Sequence, residues 1–147
     1  MKTETVKLLL VEDDPDNLTV MTMMLSEKYN VSSHGSSEEA LGAVVAFKPD
    51  LLVLDVRMSP VSGVECLRSI RAISGYGSIP ALALTSFARD VERKVFLAAG
   101  FQAVVTKPIL EPEKLEAVID SLLESAFRET LDGPLDRNFT LLTGTSQ

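Results

Sequence analysis

The sequence predicts an α/β fold, a doubly wound five-stranded parallel sheet with helices on both faces. Two observations predict it. Short apolar runs alternate five times with stripes at helical spacing, and the strongest runs (LLVLDV at 51–56, IPALAL at 79–84) are apolar at nearly every position. Strands that are apolar on both faces and alternate with helices require a parallel sheet covered on both sides.

The elements follow in order. Residues 6–11 (VKLLLV) form a first strand, ended abruptly by Glu12-Asp13-Asp14-Pro15. Asp14 reads as an N-cap and Pro15 as the first helical residue, where a missing N–H costs nothing. Leu18, Met21, Thr22 and Leu25 then recur at helical spacing, and Met23 and Met24 complete a core-and-rim set. Residues 29–33 are a weaker strand, and His34 falls in a polar loop. Ser36 with Glu39 reads as a capping box for a helix with Ala40, Leu41, Val44, Val45 and Phe47 on its apolar face. After the 51–56 strand, Val64, Leu67, Ile70, Arg71 and Ile73 mark a helix containing Cys66 and ended by Gly75-Tyr76-Gly77. The 79–84 strand has Pro80 near its start, where proline is tolerated. Val91, Val95, Leu97 and Ala98 make a fourth helix stopped by Gly100. Residues 103–105 are a short fifth strand, and Pro112 opens a last helix carrying Leu115, Val118, Ile119, Leu122 and Leu123. Periodicity fails after about Phe127, so the expected division is a domain over 1–127 and a tail over 128–147, largely disordered or docked through Phe139, Leu141 and Leu142.

Bulk properties set limits on function. The chain has 147 residues, 46% of them hydrophobic, which suits one globular core. A formal charge of −7, with lysines and arginines scattered among acids, argues against direct DNA binding. Cys66 is the single cysteine, so no internal disulfide forms, and no apolar run approaches the roughly 20 residues of a membrane span. A cytoplasmic protein without membrane insertion is the expectation.

In an open parallel sheet, ligands bind beyond the carboxyl ends of the strands. This chain places Glu12 and Asp13 after its first strand, Asp55 at the end of its third, Thr85-Ser86 at the end of its fourth and Lys107-Pro108 after its fifth. Singly, each has an ordinary reading as a cap, a turn residue or loop punctuation. Together they gather three carboxylates, a hydroxyl and an ammonium at one end of the sheet. Such carboxylates repel unless a cation is bound, and a hard, oxygen-seeking ion such as Mg²⁺ answers that repulsion. Lys107 would then offer a point charge to phosphate oxygens and Thr85 a donor, with Asp55 placed as a nucleophile that forms an aspartyl phosphate.

The pattern VEDD at 11–14, LDVRM at 54–58, Gly63, LTS at 84–86, AAGF at 98–101 and TKP at 106–108 resembles the receiver domains of two-component response regulators, over about residues 6–127. The resemblance implies a flavodoxin-like (βα)5 receiver fold of the stand-alone, chemotaxis type. It implies Asp55 as phosphoacceptor, and Mg²⁺ (with Mn²⁺ as a substitute) held by Asp13, Asp55, the backbone carbonyl of Arg57 and, through water, Glu12. Lys107 would bind phosphoryl oxygens and Thr85 would couple the phosphoryl group to the surface, with the Lys107–Pro108 bond cis. Residues 86–100 would be the element with two arrangements, and Arg57 and Phe87 would tune phosphoryl lifetime. Implied partners are a sensor histidine kinase or phosphotransfer protein and a separate downstream protein, with homodimerisation on phosphorylation as a family habit. No output domain is expected within this length. Two positions depart from the family pattern: Ser59 stands where proline usually follows the methionine, with Pro60 one later, and Val104 stands where the switch aromatic usually does.

Two other classes fit less well. A haloacid-dehalogenase-type phosphatase needs a second acid two residues after its nucleophile, where this chain has Arg57. A flavin or nucleotide module needs a glycine-rich turn before a helix, and Gly75–Gly77 precedes a strand.

Overall fold

The computed structural model describes residues 5–86 and 89–143, with side chains described to residue 128. Phe87, and the docking of Phe139, Leu141 and Leu142, therefore lie outside the described residues. Five strands, β1 (Lys7–Val11), β2 (Asn30–His34), β3 (Leu51–Asp55), β4 (Ala81–Thr85) and β5 (Ala103–Thr106), alternate with α1 (Pro15–Ser26), α2 (Ser37–Phe47), α3 (Gly63–Arg71), α4 (Asp90–Ala98) and α5 (Pro112–Thr143). All pairings are parallel, in the order β2-β1-β3-β4-β5.

Alternation along the strands explains the two covered faces. Leu9, Val11, Leu52, Leu54, Ala81 and Ala83 point to one side, where Ala40, Val44, Cys66, Leu67 and Ile70 of α2 and α3 cover them. Leu8, Leu10, Leu51, Val53, Leu82 and Leu84 point to the other, against Met21 and Leu25 of α1 and Leu115 and Ile119 of α5. The three central strands are fully buried from Leu8 to Val11, Leu51 to Leu54 and Ala81 to Leu84. That is why their sequences read as continuous apolar runs.

Local chemistry matches at most boundaries. Asp14 caps α1 by accepting from the Asn17 N–H at 3.3 Å, and Pro15 is its first residue. Gly100, at φ 115°, follows α4 in the left-handed region that ends helices. Three expectations need correction. His34 belongs to β2, paired in register with Val11, because backbone pairing to β1 does not require apolar side chains. Ser36 caps α2 through the Glu39 N–H, but the Glu39 carboxylate accepts from Gly35, one residue short of a closed box. Val45 on α2 is exposed, as are Val91, Val95 and Leu97 on α4, whose helical spacing is real but faces away from the core. α5 itself runs from Pro112 to Thr143, into the residues beyond which apolar periodicity fades.

Candidate functional site

The strand order reverses direction between β1 and β3, and their carboxyl ends diverge to open a crevice. Glu12 and Asp13 leave β1 on one side of it, and Asp55 closes β3 on the other. Carboxylate oxygens of all three lie within 4.8 Å of one another. Glu12 and Asp55 are buried and Asp13 is exposed. Lys107, delivered by the turn after β5, reaches across: its Nζ donates to Glu12 Oε1 at 3.1 Å and to Asp55 Oδ2 at 3.2 Å. Thr85, the last residue of β4, is fully buried beside this end of the sheet, and its carbonyl accepts the Lys107 N–H at 2.8 Å. The four expected side-chain positions around Asp55 are thus brought to one end of the sheet.

Main-chain donors hold the acids in place. The Arg57 N–H donates to Asp55 Oδ1 at 3.0 Å, the Asp14 N–H to Glu12 Oε2 at 3.2 Å and the Ser59 N–H to Asp13 Oδ2 at 3.4 Å. Sequence reasoning assigned Arg57 a carbonyl role and did not find these N–H contacts. Only the proline missing at 59 left a trace of one of them. Both Ser59–Pro60 and Lys107–Pro108 are cis peptides. Gly63 opens α3 so close to β3 that a Cβ there would stand 2.4 Å from the Asp55 carbonyl oxygen, so the loop returns only with glycine at this place.

The electrostatics are unbalanced. Burial, reinforced by the Asp55 carboxylate, raises the Glu12 pKa above the usual carboxylate range. Burial alone would lower the Lys107 pKa, but its bonds and proximity to Glu12 and Asp55 outweigh that and raise it. One ammonium faces three carboxylates. An all-oxygen donor set with surplus negative charge fits a hard divalent cation, so the residues present suit Mg²⁺. Val104, at the position that usually carries the switch aromatic, packs into the core beside Ala83 of β4. Among the described residues, no helix is long and apolar enough to cross a membrane.

Known proteins resemble this chain in sequence and in fold. The DNA-binding response regulator MtrA of Mycolicibacterium smegmatis is 32% identical over 124 residues, 84% of this chain and 53% of MtrA, so the chain spans about half of that relative. The chemotaxis protein CheY4 of Vibrio cholerae superposes with a TM-score of 0.75 at 25% identity, covering 81% of this chain and 99% of CheY4. The receiver domain of the sensor histidine kinase PA1611 of Pseudomonas aeruginosa, solved with magnesium coordinated in its active-site cleft, superposes with a TM-score of 0.73 at 28% identity, covering 82% and 99% of the two chains. The family model for the response regulator receiver domain matches residues 8–120, and with the (βα)5 order and the acid-rich cleft already described, the chain belongs to the response regulator receiver domain family.

Proposed function

We propose that this receiver domain accepts a phosphoryl group on Asp55 from a phosphohistidine of a sensor kinase or phosphotransfer protein. The observation that carries the reading is the Lys107 ammonium, shared between Glu12 and Asp55 at the mouth of a three-carboxylate cleft. A carboxylate oxygen of Asp55 attacks phosphorus in line with the scissile P–N bond. That bond breaks, its electron pair leaves with the imidazole nitrogen, which takes up a proton, and an acyl phosphate remains on Asp55. The Arg57 N–H, bonded to Asp55 Oδ1, fixes the orientation of the nucleophile. Lys107 exchanges its carboxylate contacts for the incoming phosphoryl oxygens, and the Thr85 hydroxyl turns toward them. Asp13, Asp55 and the Arg57 carbonyl, with Glu12 through water, would hold Mg²⁺ or Mn²⁺. Bound there, the ion supplies a hard positive charge against the developing charge on the phosphoryl oxygens.

The acyl phosphate adds a charge of about −1.5 to −2, by analogy with other phosphorylated side chains. It biases residues 86–100, and a separate protein reads the change in the cytoplasm. The domain acts as a phosphoacceptor and does not contact DNA itself. The test is intact mass after incubation with acetyl phosphate, with and without Mg²⁺, for wild type and Asp55→Asn. A Mg²⁺-dependent gain of one phosphoryl group, absent in the variant, supports the reading. A folded wild type that gains none would redirect it to an unphosphorylated interaction module.

A further inference from the structure

We infer that the main-chain N–H of Ser59 is a positioning group for the Asp13 carboxylate, tethering it across the cleft from the β3–α3 loop. The inference rests on the reading of Asp13 as a metal ligand. Three acids ring the cleft, and they are not held alike. Glu12 is buried, with Lys107 on one oxygen and the Asp14 N–H on the other. Asp55 is buried, with Lys107 on one oxygen and the Arg57 N–H on the other. Asp13 is exposed at the start of the β1–α1 loop, and its Oδ2 meets the Ser59 N–H at 3.4 Å from the opposite wall. An exposed carboxylate with free rotamers must be ordered before it can coordinate an ion, and that ordering weakens binding. A donor on one oxygen orders the group while leaving the other oxygen for the ion.

Proline at position 59, the residue the family pattern carries there, has no N–H to give. The displacement of proline from 59 to 60 therefore has a chemical consequence: it frees a donor aimed at Asp13. The Ser59 hydroxyl is not required.

The experiment is calorimetric titration of MgCl₂ into the full chain for wild type, Ser59→Pro and Ser59→Ala, with melting temperatures recorded in chelator. The expected result is binding about 3–10-fold weaker in Ser59→Pro, the range of one modest hydrogen bond, with Ser59→Ala matching wild type because it keeps the N–H. Equal affinity in wild type and Ser59→Pro overturns the inference and leaves the metal reading standing. An equal loss in Ser59→Ala assigns the effect to the hydroxyl and overturns it as well. Wild type that binds no Mg²⁺ overturns both. If Ser59→Pro does not fold, the Ser59 amide of the otherwise native chain decides: Asp13→Ala must shift its proton resonance and speed its exchange, and an unchanged amide overturns the tether.

Discussion

Helices α3 and α4 are both nine residues long and both follow a strand that ends at the site, yet they are attached in opposite ways. α3 begins with a closed capping box, Ser62 and Glu65 bonding each other's N–H at 3.3 and 3.1 Å. It buries Gly63, Cys66, Leu67 and Ile70, and it ends in Arg71, which donates to the carbonyls of Gly100 and Ile79 at 2.8 and 2.7 Å. α4 begins at Arg89 with no side-chain cap and buries none of its residues. Among the described residues, its contacts with the domain include half-buried Phe96, the Arg93 guanidinium on the Val104 carbonyl at 3.1 Å, and the turn at Gly100 and buried Phe101. Opening energies follow buried contacts and satisfied ends. Of these two helices, the one after Asp55 is the more firmly anchored wall of the site and the one after Thr85 the more loosely attached. On the proposed reading, this arrangement would leave Asp55 in place while a neighbouring surface shifts.

The largest effects should come from breaking the fixed helix. Ile70→Ala removes a fully buried side chain and is expected to cost about 3 kcal/mol in urea unfolding, whereas Leu97→Ala on exposed α4 should stay within about 0.5 kcal/mol. Gly63→Ala drives a methyl into the Asp55 backbone and should cost about 2–3 kcal/mol, because the obstructing atoms are main chain and cannot rotate away. A small loss in either α3 variant would dissolve the contrast. Next in size is Arg71→Leu. It orphans the Gly100 and Ile79 carbonyls and removes the Arg71 bond to the Gln102 side chain, for about 2 kcal/mol, and it cuts the Arg71 hydrogen bond that ties α3 to the turn after α4. Hydrogen exchange should then rise at residues 96–101 more than within α3.

Much of this was readable before any coordinates. Strands β1, β3 and β4 announce themselves because burial on both faces leaves few polar positions, and Glu12, Asp13 and Asp55 stand where such strands stop, with Lys107 after β5. What escaped had physical reasons. β2 is an edge strand held by backbone pairing, so the polar run Ser32-Ser33-His34 hid its last residue. Periodicity reports that one side of a helix is apolar and says nothing of whether that side is covered. Val91 and Val95 therefore predicted α4 correctly and its burial wrongly. The N–H donors of Arg57 and Ser59 belong to the main chain, which side-chain identity does not encode except where proline removes it.

Capping sharpens the comparison at a smaller scale. Ser62→Ala should cost about 1 kcal/mol, since the Glu65 N–H loses its acceptor. Arg89 already has the extended backbone of an N-cap (φ −67°, ψ 163°), so Arg89→Ser should supply the missing acceptor and stabilise by about 0.5–1 kcal/mol. The exposed Arg89–Glu92 ion pair lost in that change is of little weight. If Arg89→Ser also slows amide exchange in the first turn of α4, the loose start of that helix is a matter of its cap. Faster loss of signal response in the same variant would tie the looseness to function.

The smallest expected effect is the most searching. Val91 and Val95 lie one turn apart at 72% and 56% exposure, on the helix that α3 outmatches in every anchor. Replacing both with serine removes apolar surface that the folded chain leaves in water, so the unfolding free energy should change by less than about 0.5 kcal/mol. The measurement is urea unfolding at two protein concentrations a hundredfold apart. Coincident curves with wild-type midpoints mean that α4 is held without help from this stripe, as the contrast with α3 requires. A loss above about 1 kcal/mol that appears only at the higher concentration would place this stripe against a second chain. α4 would then be loosely attached within one molecule and fixed between two.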